Sequence, residues 1–167
     1  MTHKLLTIGL AAALAAITSA AHAAPTALDN CVKAALDKHP GKLASLSSEI
    51  EDGKSQYEID IQGQDGFGWE AECDAATGKI NRIEREIRAN AKEFKSKAKV
   101  RLDAAMKIAL DKYPGDVLNT EYDMENDGEI SYEFVIRTSP GKTVEIEVDA
   151  VTGKLAGEEE VLYRIGN

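Results

Sequence analysis

Few side chains in this sequence could act as nucleophiles, general bases or ligands of soft metals. The chain has three histidines and two cysteines. His3 and His22 lie in an N-terminal segment that we expect to be removed, so only His39 belongs to the mature protein. A zinc site made of several imidazoles is then excluded, and a Ser–His or Cys–His pair would have to use His39. We expect His39 to pack at a helix end, and we expect no catalytic residue, no cofactor site, no metal site and no enzyme activity.

Carboxylates form the most regular chemical pattern. They alternate along two predicted strands: Glu70, Glu72, Asp74, Glu145, Glu147 and Asp149. Alternate residues of a strand lie about 7 Å apart on one side, too far for one cation without ligands from another strand. We expect this face to be solvated, and it is the candidate contact face for a partner protein. Three arginines on the next predicted strand are expected to neutralise some of the carboxylates: Arg82, Arg85 and Arg88.

One segment resembles the start of an EF-hand calcium loop, Asp123-x-Glu125-x-Asp127-Gly128. An EF-hand requires a bidentate glutamate at its twelfth position. Counting from Asp123 places Phe134 there, in a predicted core strand. We therefore expect a hairpin turn at Asp127 and Gly128 rather than a calcium loop.

The N-terminus has the pattern of a secretory signal peptide. Lys4 provides the basic start, and residues 5–17 form an apolar stretch too short for a membrane anchor. An Ala-His-Ala motif predicts cleavage between Ala23 and Ala24. We expect a mature protein in the bacterial periplasm, without a membrane or lipid anchor.

The remaining sequence repeats itself with a period of 74 to 75 residues. Residues 28–41 align with residues 102–115, and residues 69–79 align with residues 144–154. The offset is 74 in the first pair of blocks and 75 in the second. We divide the chain into a signal peptide (1–23), module 1 (24–88), a connector (89–98) and module 2 (99–167).

Each copy begins with a predicted helix and continues with predicted strands. Leu28, Val32 and Leu36 recur at helical spacing before a Pro-Gly stop, whereas Tyr57 and Ile59 begin an alternation of period two. Module 2 repeats the pattern. The predicted fold class is α+β: two tandem modules, each with one helix packed on a three- to four-stranded antiparallel sheet. We expect the connector to be exposed or to extend the second helix.

The two cysteines fall on apolar faces of module 1. Cys31 lies on the predicted helix and Cys73 on a predicted strand, where module 2 has Ala105 and Val148. Because these helix and sheet faces pack together, we expect the two thiols to meet and to form a disulfide in an oxidising compartment. The sequence contains no Cys-x-x-Cys redox motif, so we expect the bridge to be structural.

The charge of the chain disfavours anionic partners. Twenty Lys and Arg face 29 Asp and Glu, a net charge of −9, and loss of Lys4 with the signal peptide makes it −10. Nucleic acid and anionic lipid repel such a surface, so we expect neither as a partner. A cationic protein, a cationic peptide or a metal ion is compatible with this charge.

Three motifs resemble the PepSY domain family: Lys112-Tyr113-Pro114-Gly115, Tyr132-Glu133-Phe134 and Glu147-Val148-Asp149-Ala150-Val151-Thr152-Gly153-Lys154. Module 1 departs from them at His39 and Cys73. The resemblance covers nearly the whole mature chain, twice. It implies a non-catalytic module of the kind found in propeptides of thermolysin-like metallopeptidases and in cell-envelope proteins. The sequence has no His-Glu-x-x-His motif, so we do not expect a propeptide acting in cis.

Two functions from different classes remain open. The leading hypothesis is a non-catalytic periplasmic protein-binding module that modulates a protease or an envelope sensor. The alternative is an acidic periplasmic protein that binds a small ligand or a divalent cation. Calorimetry with calcium separates them, because a defined stoichiometry favours the alternative.

Overall fold

The computed structural model describes residues 24–138 and 141–166, so the predicted signal peptide lies outside the described residues. The elements are α1 (Ala27–Lys38), β1 (Gly41–Glu51), β2 (Lys54–Gly63), β3 (Gly68–Asp74), β4 (Lys79–Glu86), α2 (Lys92–Lys97), α3 (Leu102–Lys112), β5 (Gly115–Glu125), β6 (Ile130–Thr138), β7 (Thr143–Asp149) and β8 (Leu155–Gly166). Each module contributes one long helix and four antiparallel strands, which confirms the α+β prediction. Within the described residues, no helix is long and apolar enough to cross a membrane.

The two long helices end for the same local reason. The C-cap residue is His39 in α1 and Tyr113 in α3. Each donates its backbone N–H to the backbone carbonyl of the residue four positions earlier. The Pro-Gly pair that follows cannot continue a helix. The two starts differ, because Thr26 forms a capping box with Asp29 at α1, whereas α3 begins without a side-chain cap.

All eight strands join in one closed antiparallel barrel in chain order. Two junctions connect the modules, and they are unequal. Strands β8 and β1 pair over seven residue pairs, from Ser45 with Gly166 to Glu51 with Glu159. Strands β4 and β5 pair over only three. We call this short junction the β4–β5 seam.

The long helices lie outside the barrel, each against the apolar face of its own four strands. In module 1 the buried apolar residues are Cys31, Ala35, Leu46, Ile59, Ile61, Ala71, Cys73 and Ile83. In module 2 they are Phe94, Ala105, Ala109, Ile130, Tyr132, Phe134, Ile136, Val144, Ile146, Val148 and Ala150. Because successive residues of a strand point to opposite faces, the other face of every strand lines the interior of the barrel.

The connector belongs to the second core. Phe94 on α2 is only 2% exposed, and its ring meets Tyr122 and Tyr132 edge to face at centroid distances of 5.2 and 5.1 Å. Most residues of the connector are exposed, in agreement with one expectation, but the other expectation, an extended second helix, is wrong because α2 is separate from α3. Lys/Ala-rich composition concealed one aromatic residue that anchors a separate short helix.

Candidate functional site

The alternating carboxylates point into the barrel. Glu70 and Glu145 are each 3% exposed, Glu72 is 8% exposed and Glu147 is 6% exposed. The expectation that this face lies in solvent is therefore wrong. Each module alone would leave its polar sheet face open, but closing eight strands into one barrel turns both polar faces inward. A partner protein has no access to these side chains while the barrel is closed.

Asp74 and Asp149, the other two members of the predicted contact face, hold turns at the strand ends. Asp74 Oδ1 accepts a hydrogen bond of 2.7 Å from the backbone N–H of Thr77. Asp149 Oδ1 accepts the equivalent bond of 2.6 Å from Thr152. The repeated Asp-Ala-x-Thr-Gly-Lys block is thus explained as a turn motif, closed in module 1 by Gly78 at a φ of 67°.

Every strand of the barrel contributes at least one buried acidic residue. In the part of the chain that the structure describes there are eleven: Glu49, Glu58, Asp60, Glu70, Glu72, Glu84, Asp123, Glu133, Glu145, Glu147 and Glu159. Carboxylates crowded together away from water repel one another and lose hydration, and both effects disfavour the charged form. The interior is therefore the place where this chain departs most from an ordinary apolar core.

Arg82 on β4 neutralises part of this interior, as expected from the sequence. Its guanidinium contacts four carboxylates: Glu84, Glu125 and Glu147 at 2.6 Å and Glu72 at 3.3 Å. Glu125 and Glu147 belong to module 2, so these ion pairs join the modules. The same expectation is wrong for Arg85, whose guanidinium lies over the ring of Phe67, 4.8 Å from the ring centroid. Arg88 is exposed and makes no ion pair with a carboxylate within the described residues.

Arg164 on β8 was missed by the sequence reasoning. Its guanidinium lies 2.7 Å from Glu58 and 3.0 Å from Asp60, both in module 1, and 3.2 Å from Glu145. Alternation from Glu159 would have placed residue 164 outside the barrel. A bulge opposite β1, where Ser48 pairs with residue 163 and Glu49 with residue 161, reverses the alternation and turns Arg164 inward.

Burial raises the pKa of the interior carboxyl groups. The pKa of Glu72 rises to about 7, although Arg82 opposes the shift. Loss of hydration, followed by repulsion from neighbouring carboxylates, raises the pKa of Glu84 to about 9 and that of Glu159 to about 9. The pKa of Glu49 rises to about 10 for the same reasons. At neutral pH Glu49, Glu84 and Glu159 hold a proton unless a cation replaces it, and Glu72 is about half protonated.

Within the described residues, carboxylate oxygens from different strands converge in four groups, with the oxygens of each group within 4.8 Å of one another. They are the Arg82 group (Glu84, Glu125, Glu147), two Arg164 groups (Glu49, Glu58, Glu145 and Glu58, Asp60, Glu70) and the Asp123 group (Glu70, Glu121, Asp123). Carboxylates that lie too far apart along one strand thus come close together when they belong to different strands. Convergent oxygens are the ligand set that hard divalent cations take in proteins.

Among residues 24–138 and 141–166, several oxygens of these groups are buried and find no hydrogen-bond partner. They are Glu58 Oε2, Asp60 Oδ1, Glu70 Oε2, Glu147 Oε2 and both carboxylate oxygens of Asp123. A buried polar atom without a partner is unfavourable. These oxygens therefore mark positions where a proton or a cation would stabilise the folded protein.

The segment that resembles an EF-hand forms a hairpin turn, as predicted. Asp127 Oδ1 accepts a hydrogen bond of 2.9 Å from the backbone N–H of Glu129, and Gly128 has a φ of 87°. Phe134 is fully buried in the apolar core. Asp123 and Glu125 precede the turn on β5 and point into the barrel, where they belong to two different carboxylate groups.

The remaining candidates are structural. Cys31 and Cys73 form a disulfide with their Cα atoms 5.8 Å apart, as predicted. His39 stacks on Trp69 with ring centroids 3.6 Å apart. Partial burial lowers the pKa of His39, and its role is packing at the helix end, as expected.

Comparison with known proteins gives one strong result. The family described as the peptidase propeptide and YPEB domain matches residues 27–84 and again residues 99–159. The crystal structure of "a putative lipoprotein" from Clostridium difficile 630 matches 80% of this chain and 91% of that chain, with 22% sequence identity and a TM-score of 0.33. Among curated proteins, no match to this chain was found.

Proposed function

Because this chain belongs to the PepSY family, with two PepSY domains in tandem, we propose that it is a non-catalytic binding protein outside the cytoplasm whose barrel holds divalent cations. The observation that carries this proposal is the convergence of buried carboxylate oxygens from different strands within 4.8 Å. Membership of the family supports a binding role. The cation is argued from the interior of this chain alone.

The acidic side chains inside the barrel require neutralisation beyond what the two buried arginines supply. Arg82 and Arg164 cannot balance eleven buried carboxylates, and an unbalanced buried charge costs several kcal/mol. The interior therefore holds either protons or cations. Since the pKa of Glu72 is about 7, near-neutral conditions are those in which a divalent cation can displace protons from this interior.

The ligand chemistry selects the class of cation. All the convergent ligands are carboxylate oxygens, which favour calcium, magnesium or manganese over softer metals. Calcium tolerates an irregular set of six to eight oxygens, whereas magnesium demands a near-ideal octahedron and retains water. In the described part of the chain, the usual ligands of zinc and copper are engaged elsewhere, because the cysteines form a disulfide and His39 stacks on Trp69.

Two features support a location outside the cytoplasm. The Cys31–Cys73 disulfide is buried in the core of module 1, and structural disulfides persist in oxidising compartments. The N-terminal residues carry the predicted signal sequence with cleavage after Ala23. The bacterial periplasm satisfies both, and secretion of a tagged chain into that compartment is the direct test.

Calcium titration tests the proposal. Residues 24–167 with the disulfide intact, stripped of metal by a chelator, should bind calcium in a calorimeter at neutral pH, release protons and unfold at a higher temperature. Binding should weaken at about pH 5, because protons compete for the same oxygens. The matched control is the exposed pair Asp37→Asn and Asp111→Asn, which should change neither result. Absence of both heat and thermal stabilisation at millimolar calcium would remove this function.

A second candidate, protein binding, is favoured by an apolar groove on the outer surface. The groove has a volume of about 610 Å³ and lies between α1 and the ends of β1 and β8. Its apolar lining residues are Leu28, Val32, Leu36, Leu43, Leu46 and Ile165. Leu43 is 45% exposed and Ile165 is 61% exposed. For this candidate the partner is a peptidase or an envelope sensor that inserts an apolar segment into the groove.

Inhibition of a purified thermolysin-like peptidase tests this candidate. The mature protein should slow the peptidase, and Leu43→Ser with Ile165→Ser should remove the effect without unfolding the chain, because both side chains are exposed. Leu118→Ser, at an exposed position of module 2, is the control. Inhibition that is absent, or equal in all variants, rules out this groove as a peptidase contact.

A further inference from the structure

Arginine already occupies the place of a cation in three of the four carboxylate groups. Arg82 contacts every member of the Arg82 group. Arg164 contacts two of the three members of each Arg164 group. A guanidinium that reaches several converging carboxylates places positive charge and hydrogen-bond donors where a metal ion would otherwise lie, so these three groups are the less favourable places for one.

The Asp123 group lacks such a contact. Within the described residues, neither Glu70, Glu121 nor Asp123 makes an ion pair with an arginine or a lysine. Asp123 is 1% exposed and both of its carboxylate oxygens are without a partner. Glu70 is 3% exposed and its Oε2 is also without a partner. Buried, unpartnered oxygens that converge on one small space can accept a cation as ligands, which distinguishes this group from a solvated acidic surface.

The position of this group gives it a structural consequence. Glu70 lies on β3 of module 1, whereas Glu121 and Asp123 lie on β5 of module 2. Only β4 stands between these strands, and the β4–β5 seam has three residue pairs against seven at the other junction. The last residue pair of the seam is Glu86 with Asp123, and Glu121 lies beyond it. Because Glu121 is only partly buried, an ion can enter the Asp123 group from solvent beside this residue.

We propose that one calcium-class cation, bound by Glu70, Glu121 and Asp123, fastens the two modules together across the β4–β5 seam. The proposal rests on the proposed function and assigns the cation to one place. With the ion bound, ligands from both modules share one positive charge and the seam stays closed. Without the ion, buried carboxyl oxygens of both modules lie without a partner beside the shortest junction of the barrel, and the seam opens first. The other charged groups that face this site are Glu58, Asp60, Glu84, Glu86, Glu133, Glu147 and Arg164.

Neutral variants of the site, each of nearly the same shape as the native side chain, test the assignment. Glu70→Gln with Asp123→Asn should weaken calcium binding at least about tenfold. The chain offers a matched control, because the internal repeat aligns Glu70 with Glu145, and the strand pairings place Glu49 at the position that corresponds to Asp123. Glu145→Gln with Glu49→Gln alters an Arg164 group and should leave the tight site within a few-fold of the unmodified protein. If the first double variant does not fold, Glu121→Gln, at a partly exposed position, replaces it.

Amide hydrogen exchange tests the effect on the seam. The N–H of Ile87 donates to the carbonyl of Tyr122 at 2.7 Å, so peptides covering residues 79–88 and 119–125 report on the seam. Calcium should slow their exchange about tenfold or more and leave residues 45–51 of the other junction unchanged. The Glu70→Gln, Asp123→Asn variant should exchange alike with and without calcium.

The possible failures are distinguishable. If the unmodified protein binds no calcium, the proposed function fails. If calcium binds equally well to the Glu70→Gln, Asp123→Asn variant, the proposed function stands and the assigned site is wrong. The same conclusion follows if only the Glu145→Gln, Glu49→Gln control loses calcium binding. If that variant loses calcium but exchange at the seam never responds, the site stands and the fastening role is wrong.

Discussion

Beneath helix α1 the core of module 1 holds the Cys31–Cys73 disulfide and Ala71, whereas the equivalent strand positions beneath α3 hold Val148 and Ile146. Module 2 adds an aromatic cluster around Phe94 that has no counterpart in the core of module 1. The two modules nevertheless form the same helix and four strands. A covalent link in one module thus takes the place of extra buried apolar surface in the other.

The inner faces of the modules show the opposite relation. Glu58, Glu70 and Glu72 in module 1 align with Glu133, Glu145 and Glu147 in module 2, and all six are buried. The outer cores therefore differ, whereas the acidic interiors are alike. Packing can be achieved in more than one way, but a shared interior requires both modules to present the same chemistry.

Truncating the central core residue should produce the largest effect and show which module depends more on packing. Phe134→Ala should lower the free energy of unfolding by about 3–5 kcal/mol, because Phe134 is fully buried. The aligned change Ile59→Ala removes fewer atoms and should lower it by about 2–4 kcal/mol. Urea denaturation followed by circular dichroism measures both. A larger loss for Ile59→Ala would reverse the comparison.

Removing the disulfide should reveal the weaker core of module 1. Cys31→Ala with Cys73→Val introduces the residues of module 2 and should lower the free energy of unfolding by about 3–4 kcal/mol. Trp69, the only tryptophan of the chain, lies in module 1, so its fluorescence should change at a lower urea concentration. The reciprocal variant, Ala105→Cys with Val148→Cys, is the control and should gain stability. An unchanged midpoint for the first variant would contradict the idea that the bridge replaces apolar surface.

Acidity should act on both modules together, since they share the interior. The folded protein binds more protons than the unfolded chain, because burial raises the pKa of Glu72 to about 7 and those of Glu84 and Glu159 to about 9. Without divalent cations, stability should be highest below about pH 5 and should fall from there up to about pH 7 for Glu72 and about pH 9 for Glu84 and Glu159. The fall should reach about 1.4 kcal/mol per pH unit for each group that titrates.

Thermal unfolding in the presence of a chelator at several pH values measures this fall. Trp69 fluorescence and circular dichroism should report the same pH dependence. Calcium should make the unfolding temperature depend less on pH. Unfolding temperatures that rise between about pH 5 and pH 8 would show that the interior carboxyl groups are not protonated in the folded chain.

Helix capping should give the smallest effect and the simplest contrast. Thr26→Ala removes the capping box of α1 and should lower the free energy of unfolding by about 1 kcal/mol. Arg101→Ser places a capping side chain at the uncapped start of α3 and should raise it by a similar or smaller amount. Urea denaturation of both variants checks the signs. An equal loss of stability in both variants would show that the first N–H groups of α3 already have another hydrogen-bond partner.

Local patterns in the sequence determined the repeated architecture. Pro-Gly after His39 and after Tyr113 ends α1 and α3. Alternation of period two defines the central strands, and the apolar positions of Cys31 and Cys73 predict their bridge. These signals are reliable because each depends on residues within one helix, one strand or one module. The Asp127–Gly128 turn was predictable for the same reason.

The tertiary structure alone decided which side of each sheet meets water. Alternation of apolar and acidic residues along a strand indicates that its two faces differ. The same acidic face is compatible with solvent and with the interior of a closed barrel. The choice depends on β8 pairing with β1 and β4 pairing with β5, which are contacts between distant parts of the chain. A single bulge turned Arg164 inward, and one phenylalanine anchored α2. Barrel closure therefore created the carboxylate groups, because ligands too far apart on one strand meet only when strands from both modules surround the same space.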